Sequence, residues 1–156
     1  MTRSWSNLLT PLRLREGLAI EAPSHLAWID GIEQLLLRIA TDAGLDADGA
    51  HFLGVAAREA LVNAIQHGHG FDVRRRVKVG IRIASGRVIV MTVRDRGPGF
   101  DPSRVPDPVA PENRTQPDGR GLLFMRAFAD RVSFTFPRSG GAVVRLEKDL
   151  PGQVAA

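Results

Sequence analysis

Residues 97–120 divide the chain. The stretch is crowded with Pro, Gly, Asp and Asn and carries no hydrophobic period. A loop of that length inside a compact domain is uncommon and usually serves a function. Its two ends are the glycine pairs Asp95-Arg-Gly97-Pro-Gly99-Phe100 and Gly119-Arg-Gly121-Leu122. The fold must therefore bring an apolar segment into this loop and a helix out of it.

The flanking patterns supply both. Val77, Val79, Ile81 and Ile83 alternate with polar or small residues, and Val88 to Val93 is a nearly continuous apolar run suited to a central strand. Ala84-Ser-Gly86 is the turn between them. Upstream, Leu18 to Pro23 reads as a short strand. Ser24 is expected to cap a helix to about Ala43, with Leu26, Ile29, Ile32, Leu36 and Ile39 in one stripe and Gly44 at its end. Asp46 or Asp48 is expected to cap a second helix to about His67, closed by Gly68-His-Gly70. A third runs from about Gly121 to Ala129, followed by a hairpin of Val132–Phe136 and Val143–Leu150 across Ser139-Gly-Gly141. The order β-α-α-β-β-loop-α-β-β predicts an α+β sandwich, three helices on one face of a mixed, mainly antiparallel sheet. Residues 1–16 are expected to be irregular, and residues 17–156 to form a single domain.

Composition closes off several classes. The 156 residues fit one core, and the 44% hydrophobic and 24% charged fractions are ordinary for a soluble protein. No apolar run approaches the roughly 20 residues of a membrane span, and the N-terminal residues lack a secretory pattern. There is no cysteine, so disulfides and thiolate metal sites are excluded. A cytoplasmic protein is expected. The net charge of +4 gathers partly at Arg74, Arg75, Arg76, Lys78 and Arg82. Arg76, Lys78 and Arg82 fall on alternate strand positions, so a solvated strand face is the preferred reading. Nucleic acid is not an expected partner.

The chemistry lies in three segments. Glu59 and Asn63 are four apart and share a helix face. Alone they would be ordinary polar positions on an amphipathic helix. With a nucleotide nearby, the Asn carbonyl oxygen suits magnesium and the Glu carboxylate suits a proton acceptor. Asp95 ends the apolar strand and, when ionised, can accept the exocyclic amino group of adenine. Gly97 and Gly99 permit positive φ and close approach to a base, although Asp-x-Gly-Pro-Gly is also good turn chemistry. Gly119-Arg-Gly121 opens the third helix, where backbone amides attract phosphate. His67 and His69 lack a third ligand for zinc, and His67 reads as structural or pocket-lining. Together the segments point to ATP, magnesium and phosphoryl transfer.

These segments resemble the GHKL, or Bergerat-fold, ATPases that include gyrase and the histidine kinases. Glu59-x-x-x-Asn63-Ala matches the N-box, Asp95-x-Gly97-x-Gly99-Phe100 the G1 box, and Gly119-x-Gly121-Leu122 the G2 box. The stretch Glu-Ala-x-x-Asn-Ala-x-x-His-Gly and the chain's size are closest to the small stand-alone anti-sigma-factor serine/threonine kinases. That resemblance implies a homodimer that sequesters a sigma factor and phosphorylates an anti-anti-sigma factor. It implies Asn63 as magnesium ligand, Glu59 as general base and Asp95 as adenine contact. It also implies Gly97 and Gly99 as the base-side turn, Gly119 and Gly121 with Leu122 on the phosphate side, and a lid over about 100–120. A basic lid residue reaching the terminal phosphate has candidates in Arg104, Arg114 and Arg120. The alternative is a non-catalytic ATP/ADP-binding module that controls a protein partner.

Overall fold

The strands pair so that their apolar positions line up in rows across the sheet. The computed structural model describes residues 17–105, 110–113 and 120–152. Its five strands are β1 (Leu18–Pro23), β2 (Arg76–Ala84), β3 (Val88–Arg94), β4 (Arg131–Thr135) and β5 (Val143–Asp149), in spatial order β1-β2-β3-β5-β4. One row runs Ile20, Val79, Val93, Val144, Phe134; the next runs Leu18, Ile81, Met91, Leu146, Val132. A slip of one residue in any strand would turn its row toward water, so burial fixes the register. The sheet, expected to be mixed, is antiparallel in every described pairing. The crossover after β3 carries β4 to the far edge, and β5 returns between β4 and β3.

The opposite sheet face is polar and ion-paired. Lys78 Nζ lies 2.8 Å from Glu21, and Arg76 approaches the same carboxylate at 3.8 Å. Arg131 bridges Glu147 and Asp149, each at 2.6 Å. Exposed pairs of this kind add little stability, but they answer much of the positive charge on that face.

Three helices cover the apolar rows: α1 (Ile29–Asp42), α2 (Ala47–Asn63) and α3 (Arg120–Phe128). The first starts later than the sequence suggests. A 3-10 turn over Leu26–Trp28 precedes it, capped by the His25 side chain, which accepts from the Ala27 amide at 3.0 Å. Ser24 is not the cap. It is fully buried, and its hydroxyl is engaged by His69 Nδ1 at 2.5 Å. The end of α1 is as expected: Gly44 takes φ +102°, while Leu45 N bonds Ala40 O and Gly44 N bonds Thr41 O, closing a Schellman turn.

Asp46 then caps α2, its Oδ1 accepting from Gly49 N at 2.7 Å. The helix packs against both α1 and α3. Its buried positions are mostly small (Ala50, Gly54, Ala56, Ala57, Ala60), with Leu53 and Leu61 reaching further. Small side chains let neighbours close on both flanks. On one flank Arg58 ties α2 to Glu33 at 2.9 Å and to Asp30. The last turn, Ala64–Gly68, widens to a π-helical turn. Such turns are frequent at functional sites.

The Asp46 cap fixes where the helix bearing Glu59 and Asn63 begins. Asp46→Ala is expected to lower stability by about 1 kcal/mol, and Asp46→Asn by much less. Urea unfolding followed by circular dichroism measures both; equal losses would remove the cap from this account.

Candidate functional site

A cavity of about 540 Å³ opens between the end of α2, the start of α3 and the edge of β3 and β5. Asn63, Ala64, His67 and Gly68 form one wall; Asp95, Gly99 and Phe100 form the β3 side. Asp101, Arg104 and Val105 come from the loop, and Gly121, Leu122 and Met125 from α3. Ala142 and Val144 supply an apolar floor from β5. A mostly apolar concavity with a few convergent polar groups is the usual form of a small-molecule site. A smaller hollow of about 210 Å³ beside Gly17, Gly80 and Thr92 has no carboxylate in its wall.

Asp95 anchors one end. It is only 7% exposed. Its Oδ1 accepts from Gly97 N at 2.8 Å, and its own amide donates to Ala142 O at 3.0 Å. Three glycines crowd it. A Cβ on Gly68 would lie 2.5 Å from Asp95 Cγ, and one on Gly141 2.1 Å from Asp95 O. A Cβ on Gly97 would lie 1.9 Å from the Gly68 carbonyl oxygen. Gly97 is therefore required for close approach rather than for positive φ; Gly99, at φ +72°, is the residue that uses the left-handed region. Gly97 does not itself line the cavity.

Glu59 and Asn63 meet Gly121 at the other end. A Cβ on Gly121 would lie 2.8 Å from Glu59 Oε2 and 3.4–3.5 Å from the Asn63 amide atoms. The start of α3 thus rests directly on the Glu59–Asn63 face. Asn63 is in the cavity wall, whereas Glu59 stands one helical turn back, behind Gly121. Burial pushes the Glu59 carboxyl above its ordinary range, and the Arg58 guanidinium opposes this only in part. A half-buried carboxylate of that kind is a competent proton acceptor.

The structure therefore brings Asn63, Asp95, Gly99, Gly121 and Leu122 to one cavity, with Glu59 and Gly97 directly behind its wall. Gly119, Arg114 and much of the expected lid lie outside the described residues. Of the arginine candidates, Arg104 lines the cavity and Arg120 opens α3. His67 lines the cavity, but His69 points into the fold and is 5% exposed. Among the described residues no group of three His, Asp or Glu side chains could hold a metal ion. Sequence reasoning missed Gly141, which reads as a hairpin residue but also abuts Asp95. It missed Met125 and Ala142 as cavity walls, and only the inward parity of β5 could have hinted at the latter.

Comparison with known proteins places this geometry. Residues 22–148 match the model of the histidine kinase-like ATPase domain. The chain belongs to that family. It is 27% identical to a serine-protein kinase RsbW of Bacillus licheniformis over 144 residues, covering 88% of each chain. It is 31% identical to an anti-sigma F factor of Heyndrickxia coagulans over 96 residues, 59% of this chain and only 64% of that protein. Among solved structures, a SiaB–SiaC complex from Pseudomonas aeruginosa superposes with a TM-score of 0.61 at 14% identity, over 89% of this chain and 92% of that one. The RsbU and RsbW domains of a Mycobacterium tuberculosis protein give the same TM-score at 18% identity, over 90% of this chain and 34% of that one. These likenesses carry the fold. No described helix is long and apolar enough to cross a membrane.

The two glycines of the β3 turn should respond differently to a methyl group. Gly97→Ala is expected to cost about 3 kcal/mol, because the Gly68 carbonyl must move. Gly99→Ala, which meets only ordinary contacts, should cost about 1 kcal/mol for its φ. Thermal melts of the two variants compare them; a milder Gly97→Ala would contradict the packing described.

Proposed function

We propose that this chain is an ATP-dependent serine/threonine-protein kinase and anti-sigma factor. In this reading it phosphorylates an anti-anti-sigma protein and sequesters a sigma factor, acting as a cytoplasmic homodimer. The relatives named serine-protein kinase and anti-sigma factor support the activity and the partner class. The observation that carries the reading is the convergence of Glu59, Asn63 and Gly121 at one end of a cavity whose other end is Asp95. A pure nucleotide binder has no use for a half-buried carboxylate at the phosphate end.

The residues present fit a nucleotide and its ion. Asp95 sits in a cradle that any Cβ at Gly68 or Gly141 would fill, and its carboxylate accepts the adenine amino group. Ala142, Val144, Leu122 and Met125 offer the base an apolar bed. The first turn of α3 presents backbone amides where phosphates would lie. Asn63 would hold the magnesium ion through its side-chain oxygen, and the ion would neutralise phosphate charge. Glu59 takes the proton from the attacking Ser or Thr hydroxyl. Arg104 in the cavity wall and Arg120 at the start of α3 are the described candidates for the basic residue that meets the terminal phosphate. Phosphoryl transfer demands mainly positioning and charge stabilisation, which these groups supply.

Labelled ATP and a cognate antagonist protein provide the assay. Glu59→Gln should reduce transfer by about 10²–10⁴-fold while leaving ADP binding near wild type. Its folded-state carboxyl titrates above the unfolded value, so at neutral pH the ionised group costs stability; replacing it should leave the apo protein equally or more stable. Undiminished transfer in Glu59→Gln would exclude it as the base. Asn63→Ala should abolish the magnesium dependence of nucleotide affinity, and an unchanged dependence would remove that assignment.

A further inference from the structure

The turn that presents Asp95 is held by a pair of buried side chains that neither touch the cavity nor take part in transfer. All three amides of the turn, and the Arg96 carbonyl, have partners. Asp95 N donates to Ala142 O, and Gly97 N to Asp95 Oδ1. Arg75 Nη2 donates to Arg96 O at 2.9 Å. Arg96 N donates to His69 Nε2 at 2.9 Å. Because Nε2 accepts, the proton of the neutral ring sits on Nδ1, which faces Ser24 Oγ at 2.5 Å. Ser24 in turn is fixed by its own amide, which donates to Arg75 O at 3.0 Å. Three chain segments distant in sequence meet here: the β1–α1 junction, the exit from the π-helical turn and the end of β3.

We propose that Ser24 and His69 form a positioning relay that sets the Asp95–Gly97 turn for adenine, so that they govern nucleotide affinity rather than the rate of transfer. The proposal rests on the nucleotide reading of the cavity. Ser24 fixes the tautomer and ring orientation of His69. The ring supplies the acceptor to Arg96 N, and so fixes the peptide between Asp95 and Gly97. Loss of that acceptor leaves a half-buried N–H unpaired and loosens the Arg96 peptide, and with it the Gly97 amide that holds Asp95 Oδ1. A protonated ring has no acceptor at Nε2, so acid would release the same contact. The charged groups facing His69 are Arg75 and Asp72 from the loop before β2 and Asp95 from the end of β3. Burial, helped by Arg75, holds the imidazole below its ordinary value against the pull of the two carboxylates. The neutral, accepting form is the one favoured at physiological pH.

Calorimetric titration with ADP tests the relay in the full chain, alongside transfer at saturating ATP. At about pH 7.5, His69→Leu should bind ADP about tenfold more weakly, and Ser24→Ala should weaken in the same direction. His69→Gln, whose side-chain carbonyl can accept from Arg96 N, should recover most of the affinity. Transfer at saturating ATP should change much less than affinity in all three. From about pH 7.5 to about pH 5.5 the wild type should lose more ADP affinity than His69→Gln, whose response should reflect only protonation of the ADP phosphate, a split that a purely structural histidine would not produce. Should His69→Leu fail to fold, Ser24→Ala and His69→Gln still decide. Wild-type affinity in Ser24→Ala, or a pH response in His69→Gln equal to that of wild type, overturns the relay. Absence of ADP binding by the wild type removes the nucleotide reading itself, and the relay with it.

Discussion

The site depends on backbone approaching backbone without side chains between. Gly68 ends the π-helical turn of α2, Gly97 follows β3, and Gly141 precedes β5. Their Cα atoms close around Asp95 so tightly that no Cβ fits at any of the three. Burying a carboxylate is costly unless its oxygens find donors. Here the Gly97 amide supplies one, while the cavity faces the rest of the group. A ligand offering a donor at that point would complete what the protein leaves half satisfied. Three elements must dock in register before the group is held, so the geometry of the pocket is inseparable from the packing of the fold.

Helix α2 is the second constraint. Its alanines let α1 and α3 approach from both sides, and the approach of α3 sets Gly121 against Glu59 and Asn63. A larger side chain at Gly121 would push the start of α3 away from the carboxylate. The same contact explains why Glu59 is desolvated without being sealed in. Its proton affinity is raised by the helix that also presents amides to the cavity. One packing contact thereby sets both the proposed base and the proposed phosphate end.

Much of this was legible in the sequence, for identifiable reasons. The buried face of β2 followed from alternation, because Val77, Val79 and Ile81 are the positions of that strand that water does not reach. Gly44 and Asp46 behaved as local signals because their roles involve residues no more than a few positions away. Ser24 did not. As a serine after a proline it reads as a cap, but its hydroxyl is claimed by His69 from a loop distant in sequence, and His25 takes the cap instead. Gly97 was identified for positive φ and for close approach to a base, and the close approach the structure shows is to the Gly68 carbonyl. Sequence cannot separate a glycine needed for φ from one needed for space, since the obstructing atom, the Gly68 carbonyl oxygen, belongs to another element. Gly141 was hidden for the same reason, its turn chemistry masking a contact with Asp95.

Residues whose roles escape local reading are those joining elements, and in this chain they cluster around Asp95, at the proposed adenine end. The proposed phosphate end is built within one helix plus the start of another, so the Glu59–Asn63 spacing, read together with the two glycine segments, points to it. The adenine end is assembled from β1, the π-helical turn, β3 and β5, and its partners are glycines, a buried serine and a buried histidine. Such a junction has more ways to be disturbed than a single helix face. The exposed turn over Leu26–Trp28 lies two residues from Ser24, whose hydrogen bond to His69 and the His69 bond to Arg96 N lead to the Asp95 turn. The Glu59–Asn63 end has its own link to the surface, through Arg58 and its ion pairs to Asp30 and Glu33 on α1.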